Sequence, residues 1–274
     1  MSGGGGDAVF GDGVFGDRSF GDGVFGGLDV RGAPGDGPVA FGGQLGPDVL
    51  LAAYRHGLFP MPAADDYASA FNEVRFEEAV AAGEVALLPG AADDPYALAW
   101  WSPDPRPVLA PDAVHVGSRL ARRLRNGRRW WTSADRAFPR VLEACARARQ
   151  PSWLVPELCA ALVELQRRGA AHSAEVWEGE ELIGGVFGVA VGPVLSLDSM
   201  FHRRSDAGRV AVADLAARFA DAGGRLLDAQ WDSPHVRALG AAAVPRERYL
   251  AELAAPAEVG PLATAMLPAA RLGR

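Results

Sequence analysis

Two short stretches in the C-terminal half carry the side chains best able to do chemistry. Asp198-Ser199-Met200-Phe201 closes one expected strand, and Asp228-Ala229-Gln230 lies on another. Alternation along a strand puts Asp228 and Gln230 on the same face. A carboxylate and a carboxamide side by side can hold and orient an amine, although neither is a strong base. Without further context, such residues equally well satisfy backbone groups at strand ends. Other chemistries lack their signatures. There is no G-x-S-x-G elbow and no G-x-x-x-x-G-K-[ST] phosphate loop. His56, His115, His172, His202 and His235 show no H-E-x-x-H spacing, and with Cys145 and Cys159 they make no ligand cluster, so neither a metal nor a cofactor is expected.

The elements that must position these residues follow from the pattern. Expected strands are His172–Trp177, Leu182–Val191, Val194–Met200 and Arg225–Gln230, the first three joined by turns at Gly179 and Gly192. Helices are expected at 47–56, 72–82, 134–149, 156–168, 206–221 and 246–254, with Pro47 and Pro156 opening two of them and Gly57, Gly83, Gly169 and Gly223 closing four. Trp100 to Pro107, with three prolines, reads as a rigid extended loop. This order gives an α+β fold with a mostly antiparallel sheet. Residues 1–27 repeat Phe at 10, 15, 20 and 25, each followed by Gly, and their eleven glycines make ordering entropically costly. The reading is therefore a disordered tail over 1–36, a small N-terminal domain over 37–110 with an insertion at 63–98, and a catalytic domain over 111–274.

From Gly37 onward the sequence resembles the leucyl/phenylalanyl-tRNA–protein transferases, in their actinobacterial form. The blocks that carry the resemblance are F-G-G-Q-L (41–45), L-L-A-A-Y-R-H-G-L-F-P (50–60), W-W-S-P-D-P-R-P (100–107) and A-H-S-A-E-V-W (171–177). They continue with L-I-G-G-V-F-G-V-A-V-G (182–192), S-M-F-H-R (199–203), L-L-D-A-Q (226–230) and L-G-A-A-A-V-P-R-E-R-Y-L (239–250). The resemblance implies a C-terminal domain of acetyltransferase (GNAT) architecture. It implies transfer of Leu or Phe from Leu-tRNA or Phe-tRNA to the α-amino group of proteins beginning with Arg or Lys, which tags them for degradation. It implies Asp228 and Gln230 as the catalytic pair and Asp198 as the carboxylate that holds the cationic acceptor. Tyr54, Met61 and Trp153 then line the site, the first two near the terminal adenosine. Val186, Leu195, Met200, Val212, Leu215 and Leu227 form the apolar pocket for the transferred side chain.

This chain departs from the family pattern in four places. Asp198 stands for Glu, Leu197 for Gly, Met61 for Trp, and Gly208-Arg209 for Ser-Lys. An acyl-CoA-dependent N-acetyltransferase is the rival enzyme, but its [QR]-x-x-G-x-[GA] loop is matched imperfectly, since Arg204 precedes Gly208 by four. A weakened paralogue that only binds tRNA or N-termini is the non-enzymatic alternative.

The net charge of −7 argues against a protein that coats nucleic acid. All 27 basic side chains are arginine, and residues 1–27 hold four of the aspartates against one arginine. Arg119, Arg122, Arg123, Arg125, Arg128 and Arg129 form a local basic run that reads either as a solvated helix face or as a tRNA-backbone contact. With no basic-then-apolar leader, no long apolar run and only two cysteines, a cytoplasmic monomer is expected.

Overall fold

The computed structural model describes residues 23–90, 93–114, 116–127, 129–148 and 150–273. Its N-terminal part runs β1 (Pro38–Gly42), α1 (Pro47–Arg55), β2 (Phe59–Pro62), α2 (Asp66–Ala81), β3 (Ala86–Leu88) and β4 (Leu98–Trp101). The four strands form one sheet in the order β2-β4-β1-β3. β1 pairs in parallel with β3, and the other pairs are antiparallel. Helix α2 starts earlier than the sequence pattern suggests, because Asp65 caps it by accepting from Ala68 N at 2.8 Å.

The larger part continues with β5 (Arg106–Leu109), α3 (Ser118–Asn126), β6 (Trp130–Ala134), α4 (Phe138–Arg147), α5 (Pro156–Arg167), β7 (Ala171–Glu178) and β8 (Glu181–Val191). Then follow β9 (Val194–Ser196), β10 (Ser199–His202), α6 (Ala207–Asp221), β11 (Leu226–Asp228), α7 (Pro234–Ala238), β12 (Ala242–Val244), α8 (Arg246–Leu253) and β13 (Leu267–Pro268). The sheet order is β12-β5-β11-β9-β8-β7-β6-β13, with β10 also on β8. Its one parallel pair is β9 with β11, bridged by α6. The protein is thus α+β with two mixed sheets.

The larger sheet separates two cores. Phe187 and Val189 of β8 face α1, α4 and α5, whereas Ile183 and Val186 face α3 and α6. Glycine sets the spacing where the chain crosses itself. A Cβ on Gly188 would lie 1.6 Å from Ser196 O, and one on Gly184 would lie 2.6 Å from the Ala207 methyl. Only a bare backbone lets β9 cross so close to β8 and α6 start directly on the sheet.

Three sequence expectations are corrected. Order does not begin at Gly37. Phe25, the last phenylalanine of the repeat, is fully buried with its ring 4.9 Å from that of Trp100, and Val30 is buried beside it. The buried Arg246 guanidinium also binds the carbonyls of Arg31, Ala33, Pro34 and Ser102. Hydrophobic burial and these charge-assisted bonds offset the entropy that the repeat pattern emphasised. Phe10, Phe15 and Phe20 lie outside the described residues. Secondly, Arg106–Leu109 belong to the larger sheet, because β5 pairs with both β11 and β12. Thirdly, the single strand expected over Val194–Met200 is two strands, broken at Leu197-Asp198.

Candidate active site

The break between β9 and β10 delivers Asp198. Leu197 N donates to Asp228 O at 2.8 Å, and Asp198 N donates to Phe187 O at 3.0 Å. The chain thus leaves one ladder for another within two residues, and the Asp198 side chain emerges between them. There it accepts from Tyr54 Oη (2.8 Å), Ser196 Oγ (2.6 Å) and Gln230 Nε2 (2.7 Å). Gln230 Nε2 also donates to Ser196 Oγ at 2.8 Å. With Asp198 ionised, only the nitrogen end of the amide can face it, so Gln230 Oε1 is left as the amide's acceptor.

Strand β11 stops at Asp228, so alternation does not govern Gln230. Gln230 sits beyond the strand at φ 60°, in a turn closed by Trp231 N donating to Ala229 O at 2.6 Å. A left-handed conformation in a non-glycine residue is unfavourable, and the surroundings hold it in place. Asp228 does much of the holding: its Oδ1 accepts the Gln230 backbone N–H at 2.9 Å. Asp228 and Gln230 are thus linked through the main chain rather than side chain to side chain.

Asp228 is itself clamped. Arg106 Nε and Nη2 donate to its two oxygens at 2.8 and 2.7 Å, and both side chains are essentially inaccessible. The guanidinium carbon lies 4.9 Å from the Phe59 ring centre and 4.5 Å from that of Tyr249. Burial pulls the Arg106 pKa down, but the charge of Asp228 overrides this and raises it. Burial first, then Asp228, drives the Tyr249 phenol far above its ordinary value. Tyr54 is raised too, by burial and then by Asp198. Burial also pushes Asp198 up to about 7, against the hydrogen bonds from Ser196 and Tyr54 that favour its ionised form.

The structure therefore brings Asp198, Asp228, Gln230 and Tyr54 into one hydrogen-bonded set. The other expected residues fall on the two sides of the sheet. Val186, Leu195, Val212, Leu215 and Leu227 are fully buried in the core beneath α6, with Met200 packed against them. Met61 and Trp153 are half-buried against the opposite core, to which Tyr54 belongs. Arg119, Arg122 and Arg129 are exposed, but Arg123 is committed to an ion pair with Asp206 and Arg125 to the carbonyl of Gly273. Arg128 and His115 lie outside the described residues. Among the described residues no three His, Cys, Asp or Glu side chains group as metal ligands, and no helix is long and apolar enough to cross a membrane.

Sequence reasoning missed Arg106, Ser196, Phe59 and Tyr249. A signal existed for Arg106, a lone charge in the otherwise apolar strand R-P-V-L whose four residues are all buried. Ser196 and the two rings carry no such mark, because only tertiary contact gives them a role.

This carboxylate–amide set, with no imidazole among its members, can hold and orient a bound group but offers no strong base. Residues 43–67 match the N-terminal domain model of the leucyl/phenylalanyl-tRNA protein transferases, and residues 108–254 match the model of the transferase itself. A leucyl/phenylalanyl-tRNA–protein transferase from Xanthomonas campestris pv. campestris is 38% identical over 223 residues, which is 80% of this chain and 77% of the relative. One from Chromohalobacter salexigens is 40% identical over 218 residues, 78% of this chain and 73% of the relative. The chain belongs to the leucyl/phenylalanyl-tRNA–protein transferase family. A solved protein of unknown function from Bacteroides thetaiotaomicron superposes with a TM-score of 0.37 at 10% identity over 59% of each chain, too distant a likeness to define the fold.

Proposed function

We propose that this protein moves leucine or phenylalanine from the 3′ end of aminoacyl-tRNA to the α-amino group of proteins beginning with Arg or Lys. The acceptor nitrogen attacks the ester carbonyl, the C–N bond forms, the ester C–O bond breaks, and the proton leaves with the tRNA 3′ oxygen. Amide formation from an ester runs downhill, so no nucleotide is consumed. The product carries a new bulky N-terminal residue that marks it for degradation in the cytoplasm. The observation that carries the mechanism is the fixed amide of Gln230, whose nitrogen is tied to Asp198 and Ser196.

A free α-amino group has a pKa of about 7.7–8.0, so about 10–20% is already neutral at pH 7. The acceptor therefore needs alignment more than deprotonation. Gln230 Oε1 accepts from the attacking amine and holds it in line, and Asp228 sets the Gln230 backbone. Holding the reactants in this way supplies about 7–11 kcal/mol at best. The parallel β9–β11 pair bridged by α6 supports a GNAT-like catalytic domain. Asp198, an electrostatic partner for an N-terminal Arg or Lys side chain, sits beside Gln230. Met200 and the aliphatic residues beneath α6 form the slot for the transferred side chain, and Tyr54, Met61 and Trp153 line the site from the opposite side of the sheet. Arg119, Arg122 and Arg129 lie open for the tRNA backbone.

The test offers labelled Leu-tRNA, Phe-tRNA and acetyl-CoA with Arg-, Lys- and Ala-initiated peptides. Transfer from both tRNAs to the Arg and Lys peptides is the expected result. Transfer from acetyl-CoA alone, or binding without transfer, overturns this reading.

A further inference from the structure

Helix α2 has two apolar sides, and the fold uses only one of them. Phe76 is buried, with its ring centre 5.7 Å from that of Phe41 and 6.1 Å from that of Trp101, and Ala79 and Val80 pack against the same cluster. Tyr67, Phe71 and Val74 recur at i, i+4 and i+7, a spacing that places them along one stripe. The stripe runs on the side of the helix away from Phe76, and its members are 80%, 55% and 77% exposed. A single apolar residue in water needs no explanation, but two aromatic rings and a valine in line mark a contact surface. None of the three belongs to the hydrogen-bonded set around Gln230. Phe71 and Val74 also lie outside both segments matched in the transferase family.

Charge decides what covers this stripe. Asp66, Glu73 and Glu77 recur at i, i+7 and i+11 and form an exposed acidic flank along it, and Glu78 follows at its C-terminal end. Arg75 is the only basic residue of α2, and its guanidinium carbon lies over the Phe76 ring, 4.9 Å from its centre. Such a surface repels nucleic acid and anionic lipid. It also repels a second copy of α2, because pairing two acidic helices doubles the carboxylate excess. The repeat at residues 1–27 carries four aspartates against one arginine and matches no better. What fits is a helix whose own apolar stripe is bordered by Lys or Arg, the arrangement that sets partner choice between paired helices.

We propose that Tyr67, Phe71 and Val74 dock a basic amphipathic helix of another protein, with Asp66, Glu73 and Glu77 pairing its cations. The inference does not depend on the transferase reading, since peptide binding decides it whether or not the chain transfers an amino acid. The full chain is titrated into a fluorescent helical peptide of leucine and lysine, and into its leucine–glutamate counterpart, with anisotropy as the readout. The lysine peptide should bind, and Y67S/F71S/V74S should weaken it at least about tenfold. E73Q/E77Q should weaken it less and flatten its salt dependence. The glutamate peptide should bind more weakly than the lysine peptide. Because these side chains are exposed, both variants should keep the wild-type melting temperature. Equal affinity of wild type and Y67S/F71S/V74S for the lysine peptide overturns the proposal, as does equal affinity for the two peptides or no binding by the wild type. If Y67S/F71S/V74S fails to fold, E73Q/E77Q decides: an unchanged salt dependence overturns it. Dimerisation of the wild type in sedimentation that Y67S/F71S/V74S abolishes shows that a second copy covers the stripe, and overturns it too.

Discussion

Asp228 and Asp198 are both pinned near Gln230, yet the two ends of the site are built on opposite electrostatic plans. At the end of β11, Asp228 meets a guanidinium in bidentate geometry, with Phe59 and Tyr249 closing over it. At the β9–β10 step, Asp198 meets only neutral donors, from Tyr54, Ser196 and Gln230. A permanent cation makes the first end a fixed structural support. Neutral donors leave the second end short of positive charge and open to titration. On the proposed function, the support stands where geometry must not vary, and the unsatisfied charge stands where a cationic acceptor would be drawn in.

The contrast is broken most severely at Arg106. R106M strands a buried carboxylate, so stability should fall by about 3–5 kcal/mol in urea unfolding, and transfer by about 100-fold through misplacement of Gln230. The double variant R106M/D228N should recover much of the stability and none of the transfer. Equal unfolding midpoints for R106M and wild type would refute the support role. G188A attacks the other end. Its methyl has no room beside Ser196 O, so a loss of about 4 kcal/mol, or failure to fold, is expected from thermal melts.

The titrating end makes a prediction with a definite sign. Asp198 is raised to about 7, above its unfolded value of about 3.9, so the folded protein binds this proton more tightly. Its contribution to stability is therefore complete at low pH and declines as pH rises from about 4 to 7. Stability curves of wild type and D198N should diverge across that window and run parallel above it. In kcat/KM for an Arg-initiated peptide, a rise near pH 7 as Asp198 ionises should add to the rise at about 7.7–8.0 that the substrate's own amine gives. D198N should lose this inflection and sit about tenfold lower at pH 8 if it removes one charge-assisted bond. An unchanged inflection in D198N assigns the titration to another group. The smallest effect is expected from Y54F. It removes one donor to Asp198, shifts the inflection upward, and lowers stability by about 1 kcal/mol.

Much of this was legible in the sequence, and the gaps share a cause. Helix α1 and α5 announce themselves by a proline at the start and a glycine after the end, and α6 by its apolar face, and the boundaries agree within about two residues. Strands β7 and β8 read directly from their apolar runs. Asp198, Asp228 and Gln230 stood out as polar residues at strand ends. The strands β1 to β6 did not, because they are three to five residues long and include Pro, Trp and Ser among their apolar positions. Phe25 was hidden by its own repeat, since four identical local motifs give no sign that this one is buried. Arg106 was visible as part of W-W-S-P-D-P-R-P, but its partner lies 122 residues away. Local sequence holds no record of such a pairing.

That separation has a consequence for how the protein comes to life on the ribosome. Tyr54 and Asp198 are 144 residues apart, Arg106 and Asp228 are 122 apart, and Tyr249 closes over the guanidinium from near the end of the chain. Pairings so distant in sequence form late, after the loops between them have closed. A nascent chain that has exposed its small sheet, or even β8, holds none of the completed pairs around Gln230. On the proposed function, transfer is therefore silent until synthesis has passed α8.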